Sequence, residues 1–201
     1  MRTLLAIVIG AVGLIALFTA PNFVSTVLAA TSNSSGFPDD WFWTTDTKQN
    51  ERNAMVGKPM PAWNVDGWVN GEKKLEDLKG KIIVVDFWAT WCGPCIAAIP
   101  HSNEIKTKYA DQGVEVVGIC CTEGSEKMDS TATDKKIEYS TAKDVDGKSA
   151  NAWNVGFWPT FAVVDRKGIV RAVGLQTDYV EDAVKKILEE QPAKKAEDKA
   201  K

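Results

Sequence analysis

Apolar residues in this chain fall into short continuous runs and longer interrupted ones. KIIVVDF, residues 81–87, is nearly continuous and of strand length, as a strand buried on both faces requires. GVEVVGI, residues 113–119, has the same character. Between them, residues 94–109 place Ile96, Ile99, Ile105 and Tyr109 on one imperfect side of a helix. Strand, helix and strand in that order read as a βαβ unit, whose crossover makes the two strands parallel. Downstream, PTFAVVD and GIVRAVG flank the turn DRKG at residues 165–168, which predicts a hairpin. Val180, Val184 and Leu188, spaced by four, mark a closing helix over residues 178–188. Upstream, AWNVDGWVNGEKKLEDLKG predicts short strands around the Asn70-Gly71 turn, then one helical turn. The pattern as a whole predicts a single α/β domain over residues 55–190, with no internal repeat.

Both ends break this pattern. Arg2 precedes an apolar stretch over residues 4–18, then Pro21, then VLAA at residues 27–30: the charged start, apolar middle and small-residue end of a secretory signal. Cleavage after Ala29 fits. The rival is a retained membrane anchor, since residues 4–20 approach the length that crosses a bilayer core of ~30 Å. Gly10, Gly13 and Pro21 shorten the apolar run and favour cleavage. Either reading exports the domain, to the periplasm or the outer face of the cytoplasmic membrane. Residues 30–54 begin as a polar Ser/Asn/Gly linker without periodicity. The aromatic WFW at residues 41–43 is expected to fold back onto the domain rather than serve as a docking element. Residues 191–201 form a short charged tail.

Composition narrows the function classes. With 201 residues and 44% hydrophobic content, the chain can bury a sizeable core. A formal net charge of -3 without a long basic run argues against nucleic acid as a partner and gives no support to electrostatic membrane binding.

The chemistry concentrates in VVDFWATWCGPC, residues 84–95. Cys92 and Cys95 fall at the carboxyl end of the predicted strand and in the first turn of the helix. Unpaired backbone N–H groups and the positive end of the helix dipole favour a thiolate there, which makes Cys92 the nucleophile. Cys95 faces the same side, Gly93 permits the tight turn, and Pro94 suits an early helical position where its missing N–H costs nothing. A zinc site would need further ligands, and Cys120, Cys121 and His101 lack the paired spacing. A purely structural disulfide would gain little from so short a loop. A redox-active pair is the reading left standing. Asp86 lies within the apolar strand, where desolvation should raise its pKa toward neutrality and fit it to be the base that activates Cys95. Cys120 and Cys121 end the neighbouring strand and are expected to be packing thiols, with a disulfide relay as the alternative. His101 stands nine residues beyond Cys92, roughly 13 Å along a helix, too far for a Cys-His pair, and is expected at the surface. Trp88 and Trp91 are expected to pack around the site, and Trp153 either to line the same edge or to fill core.

WCGPC after VVDFWAT, with Pro100 five residues beyond the second cysteine and WPT before a late strand, resembles the thioredoxin superfamily. The wider frame, from VGKPMPAW through DVDGKSANAWNVGFWPTFAVVDRKGIV, is similar to its exported TlpA-like branch of thiol-disulfide oxidoreductases. The resemblance implies a thioredoxin-like fold, a central mixed sheet flanked by helices, with an N-terminal β-hairpin extension. It also implies that Pro159 is a cis-proline facing the cysteine pair and that the backbone of Trp158 binds an extended substrate, with Trp91, Gly93 and Pro94 completing an apolar rim. Members of that branch often carry a glutamate and an asparagine where this chain has Ala98 and Asp86. The function expected is reduction of protein disulfides through a mixed disulfide, without a bound cofactor or metal, with electrons from a membrane-embedded thiol donor. The alternatives are a disulfide-forming oxidase, a redox-inactive peptide-binding or chaperone module, and a thiol peroxidase. The last is disfavoured by Ala89, three residues before Cys92, where a peroxidatic cysteine would have threonine.

Overall fold

A computed structural model describes residues 35–44 and 47–193. The signal or anchor expected over residues 1–29, and the tail beyond residue 193, lie outside the described residues. Among the described residues no helix is long and apolar enough to cross a membrane.

The βαβ unit forms as the pattern requires. Strand β2 (Ile82–Trp88) is buried along its whole length, helix α2 (Gly93–Tyr109) crosses over, and β3 (Val114–Cys120) returns parallel to β2. The hairpin also forms: β5 (Thr160–Val164) pairs antiparallel with both β2 and β6 (Val170–Leu175). Two further strands, β1 (Val65–Val69) and β4 (Ser140–Asp144), complete a six-stranded mixed sheet in the order β1-β4-β3-β2-β5-β6. One face packs against α2, α3 (Met128–Asp134) and α5 (Val180–Glu190), and the other against Met55, Leu78 and the Trp153 that follows α4 (Lys148–Ala152).

Two expectations need correction. Asn70 and Gly71 take positive φ, 62° and 95°, so the predicted turn exists, but only one of its arms is a strand. The charged residues after Gly71, Glu72, Lys73 and Lys74, offer no apolar alternation to lie against β1. Strand β1 pairs instead with β4, Val65 opposite Asp144 and Val69 opposite Thr141. Asn70 fixes that long-range pairing by donating to the carbonyls of Ile137 and Tyr139 at 2.6 and 3.2 Å.

The second correction concerns the linker. Its described part is docked on β6 rather than free. Phe37 and Phe42 are buried in the core, Trp41 stacks on Tyr179, and Phe42 forms an antiparallel bridge with Leu175. A short helix, α1 (Gln49–Asn53), carries Arg52 into the interior against Gly174, where a Cβ would stand 2.8 Å from the Arg52 Nε. Gly174 also has φ of 91°, so both its backbone and the space above it exclude a side chain. The WFW patch thus folds back, as expected.

Candidate active site

The sheet register assembles the site. Parallel pairing sets Trp88 opposite Cys120, so the carboxyl ends of β2 and β3 lie side by side. Antiparallel pairing sets Phe87 opposite Thr160, which brings the residue after Pro159 to that same edge. The Trp158–Pro159 bond is cis. Pro94, between the two cysteines, and Pro159 line one groove of about 290 Å³ with Trp43, Phe157 and Trp158.

Cys92 and Cys95 form a disulfide with 5.2 Å between their Cα atoms. Cys92 is the N-cap of α2, with an extended backbone, and its sulfur accepts the Cys95 N–H at 3.2 Å. That bond uses one of the amides a helix start leaves unpaired, and it directs partial positive charge at the sulfur. Trp91, next to Cys92, is 55% exposed while its indole N–H donates to the carbonyl of Glu123 at 3.1 Å. Thr90 ties the same loop through Gly124 O at 2.9 Å. Gly124 has φ of 78°, and a Cβ there would stand 2.7 Å from the Thr90 hydroxyl, so the loop can close on the site only with glycine.

Asp86 is buried beneath α2. Its Oδ2 accepts from Tyr139 at 2.8 Å and from Ser102 at 3.5 Å, while Oδ1 is enclosed and has no hydrogen-bond partner among the described residues. Burial raises its pKa to about 7, with the Tyr139 and Ser102 hydrogen bonds pulling the other way. Ser102 lies seven residues beyond Cys95, roughly 10 Å along the helix. On α2 the carboxylate's hydrogen-bond partner is therefore Ser102 and not either cysteine. Ser102 could have been noticed in the sequence as a polar residue in the apolar row Ile99, Ser102, Ile105; nothing in the sequence pointed to Tyr139.

The remaining candidates sort by position. Ala98 faces the core, so no charge stands at that point of α2. Cys120 is fully buried and burial pushes its thiol up to about 12. Cys121 is also buried, its pKa raised chiefly by burial, and its S–H donates to the carbonyl of Glu123 at 3.1 Å. Trp88 packs inside, its indole N–H donating to Thr141 at 2.9 Å. Trp153 fills core against Phe87 and does not line the edge. His101 is half-buried, not a surface residue: its Nε2 is enclosed and has no hydrogen-bond partner among the described residues. No cluster of His, Cys, Asp or Glu among the described residues could hold a metal ion.

Residues 56–173 match the AhpC/TSA family, and the chain belongs to it. It is a redoxin of the thioredoxin superfamily and an enzyme of the thiol-disulfide oxidoreductase class. Thiol-disulfide oxidoreductase ResA of Bacillus thuringiensis is 32% identical over 136 residues, covering 66% of this chain and 79% of the relative. ResA of Geobacillus kaustophilus is 31% identical over 127 residues, covering 63% and 73%. Among solved structures, a thiol:disulfide interchange protein DsbE from Chlorobium tepidum superposes with a TM-score of 0.60 at 27% identity, over 66% of this chain and 97% of that one.

Proposed function

We propose that the protein is exported and acts as a reductant of disulfides in other polypeptides. The observation that carries the direction is the surroundings of Cys92. Its sulfur accepts a backbone N–H, Gly93 and Pro94 add neither charge nor side-chain donor, and the titratable group buried behind the pair is an acid. A strong oxidant needs its reduced form stabilised by a thiolate of very low pKa, and nothing of that kind is built here. The exposed Trp91 and the apolar groove lined by Pro94, Trp158 and Pro159 suit a polypeptide partner.

In the reductive direction the Cys92 thiolate attacks one sulfur of a substrate disulfide and expels the other as a thiolate. Cys95 then gives up its proton, attacks the Cys92 sulfur and releases the second substrate thiol, leaving the Cys92–Cys95 disulfide. Two electrons have passed to the substrate. Ionised Asp86 is the acceptor for the Cys95 proton. No bound cofactor takes part, and a membrane-embedded thiol donor returns the electrons. Trp158 offers backbone hydrogen bonds to the extended substrate at cis-Pro159.

Equilibration against glutathione tests the direction. The expected potential lies nearer about -270 mV than the ~-120 mV of a strong oxidant. A value above roughly -180 mV would overturn the reductase in favour of an oxidase. Insulin reduction, set beside peroxide consumption, separates the thiol-disulfide reaction from a peroxidase. Export is checked by fusing residues 1–54 to a reporter active only outside the cytoplasm; an inactive fusion retained inside would refute it.

A further inference from the structure

The groove beside the cysteine pair has a wall that does not come from the family-matched region. That match begins at residue 56, whereas Trp43 lies thirteen residues before it. The Trp43 amide donates to Gly174 O at 3.0 Å, beside the Phe42–Leu175 bridge, so its backbone is held as an added edge of β6. Its side chain is nonetheless 41% exposed and meets Phe157 edge-on at 6.4 Å. An indole held by fixed backbone yet left half in water costs apolar burial, and it points to a contact made by something else.

Phe157 has a second contact from the same segment. Arg52, 1% exposed, places its guanidinium 5.1 Å from the centre of the Phe157 ring. Trp43 and Arg52 therefore both contact Phe157, and Phe157 immediately precedes Trp158 and cis-Pro159. All five residues lining the groove are apolar or aromatic, and its other end is Pro94, between the cysteines. At about 290 Å³ it sits at the lower edge of small-molecule pockets, which run to roughly 300–1,000 Å³. That volume suits a single large side chain. A charged side chain would find no partner in its lining.

We propose that Trp43 is a specificity-determining residue: it receives a large apolar side chain next to the reacting cysteine of the substrate polypeptide, with Arg52 as the positioning residue that holds Phe157 as the facing wall. The N-terminal segment thus selects substrates for chemistry performed by the redoxin domain. This rests on the reading of the protein as a reductant of polypeptide disulfides.

The test compares second-order rate constants of the pre-reduced full chain with two oxidised peptides, identical except for leucine or serine beside the cysteine, and with glutathione disulfide. The expected preference of the unaltered protein for the leucine peptide over the serine peptide is about tenfold. Trp43→Ala should bring that ratio to about one by slowing the leucine peptide, and Trp43→Phe should restore most of it. The Cys92–Cys95 potential, which a general loss of structure would disturb, should not move in either variant. Equal rates with both peptides in the unaltered protein, or a ratio unchanged by Trp43→Ala, would overturn the proposal while leaving the reductase intact. Failure to reduce any of the three probes would remove the reductase reading and the proposal with it.

Discussion

Two pairs of cysteines end on the same edge of the sheet, and their exposures hardly differ: Cys92 is 5% exposed and Cys121 6%. Solvent access therefore does not tell the two apart. The direction of the hydrogen bond does, and on it rests the assignment of Cys92 as the nucleophile we propose. The Cys92 sulfur accepts an N–H at the start of a seventeen-residue helix, an interaction that strengthens as the sulfur gains negative charge. The Cys121 sulfur donates to a carbonyl, an interaction only the protonated form can make. Cys120, deeper, meets burial and the nearby Cys121 and Asp86 charges, which together hold its thiol near 12. Position on the backbone, more than residue type, assigns the chemistry.

The comparison breaks most sharply at the helix start. Cys92→Ser should reduce disulfide exchange to background, because no other thiol at the edge is a competent nucleophile. Cys95→Ser should instead accumulate mixed disulfides on Cys92, visible as a mass increase reversed by dithiothreitol. Equal trapping by both variants would contradict the assigned order of attack.

Asp86 gives the next largest effect, and its pKa sets the sign. With a value near 7 the carboxyl is protonated and cannot take a proton at pH 6, whereas it is largely ionised at pH 8. Asp86→Asn should slow resolution by Cys95 by about a hundredfold at pH 8 while sparing the first attack, and the difference should shrink toward pH 6. Unchanged single-turnover rates across that range would remove Asp86 from the mechanism. Stability makes a second check. The folded pKa lies above the unfolded 3.8, so the native state binds the extra proton and stability falls as pH rises from about 4 through 7. The loss, fully developed above pH 7, is on the order of 4 kcal/mol at ~1.36 kcal/mol per unit. Urea unfolding of Asp86→Asn should show that slope removed and the variant more stable than the parent at pH 8.

Sequence made the catalytic half of the fold legible and left the other half obscure for physical reasons. β2, α2, β3 and the hairpin announce themselves because their burial is apolar. β4, STAKD, does not, since three of its buried residues are polar: Asp144 is satisfied by the nearby amides of Ser149 and Ala150 at the start of α4, but Thr141 and Ser140 by the Trp88 indole and Asn70 O, 53 and 70 residues away. No local pattern can foretell such bonds. Of the docked segment only the WFW patch was legible, because scattered aromatics and one buried arginine hold the rest without any period. At the site, the motif disclosed Cys92, Cys95 and the unusual setting of Asp86. The cis bond before Pro159 came only from resemblance, and Trp43, Phe157 and Tyr139 are brought to their places by contacts across more than fifty residues of chain.

The smallest expected effect bears most directly on the two cysteine pairs. If hydrogen-bond direction and burial disarm the second pair, replacing Cys120 and Cys121 together should hardly touch catalysis. The fold, by contrast, should notice: Cys120 packs without exposure in the core beside Trp88, and removing its sulfur opens a small cavity. Cys120→Ala with Cys121→Ser should therefore lower the melting temperature by a few degrees, roughly the effect of 1 kcal/mol in a domain of this size, while disulfide reduction at pH 7 stays within about threefold of the parent. Cys121→Ser can keep the hydrogen bond to Glu123 O, so the loop that holds Trp91 should remain seated. A loss of activity well beyond threefold with the fold intact would mean that the second pair exchanges disulfides with the first, and that hydrogen-bond direction in the resting state is a poor guide to reactivity at this edge.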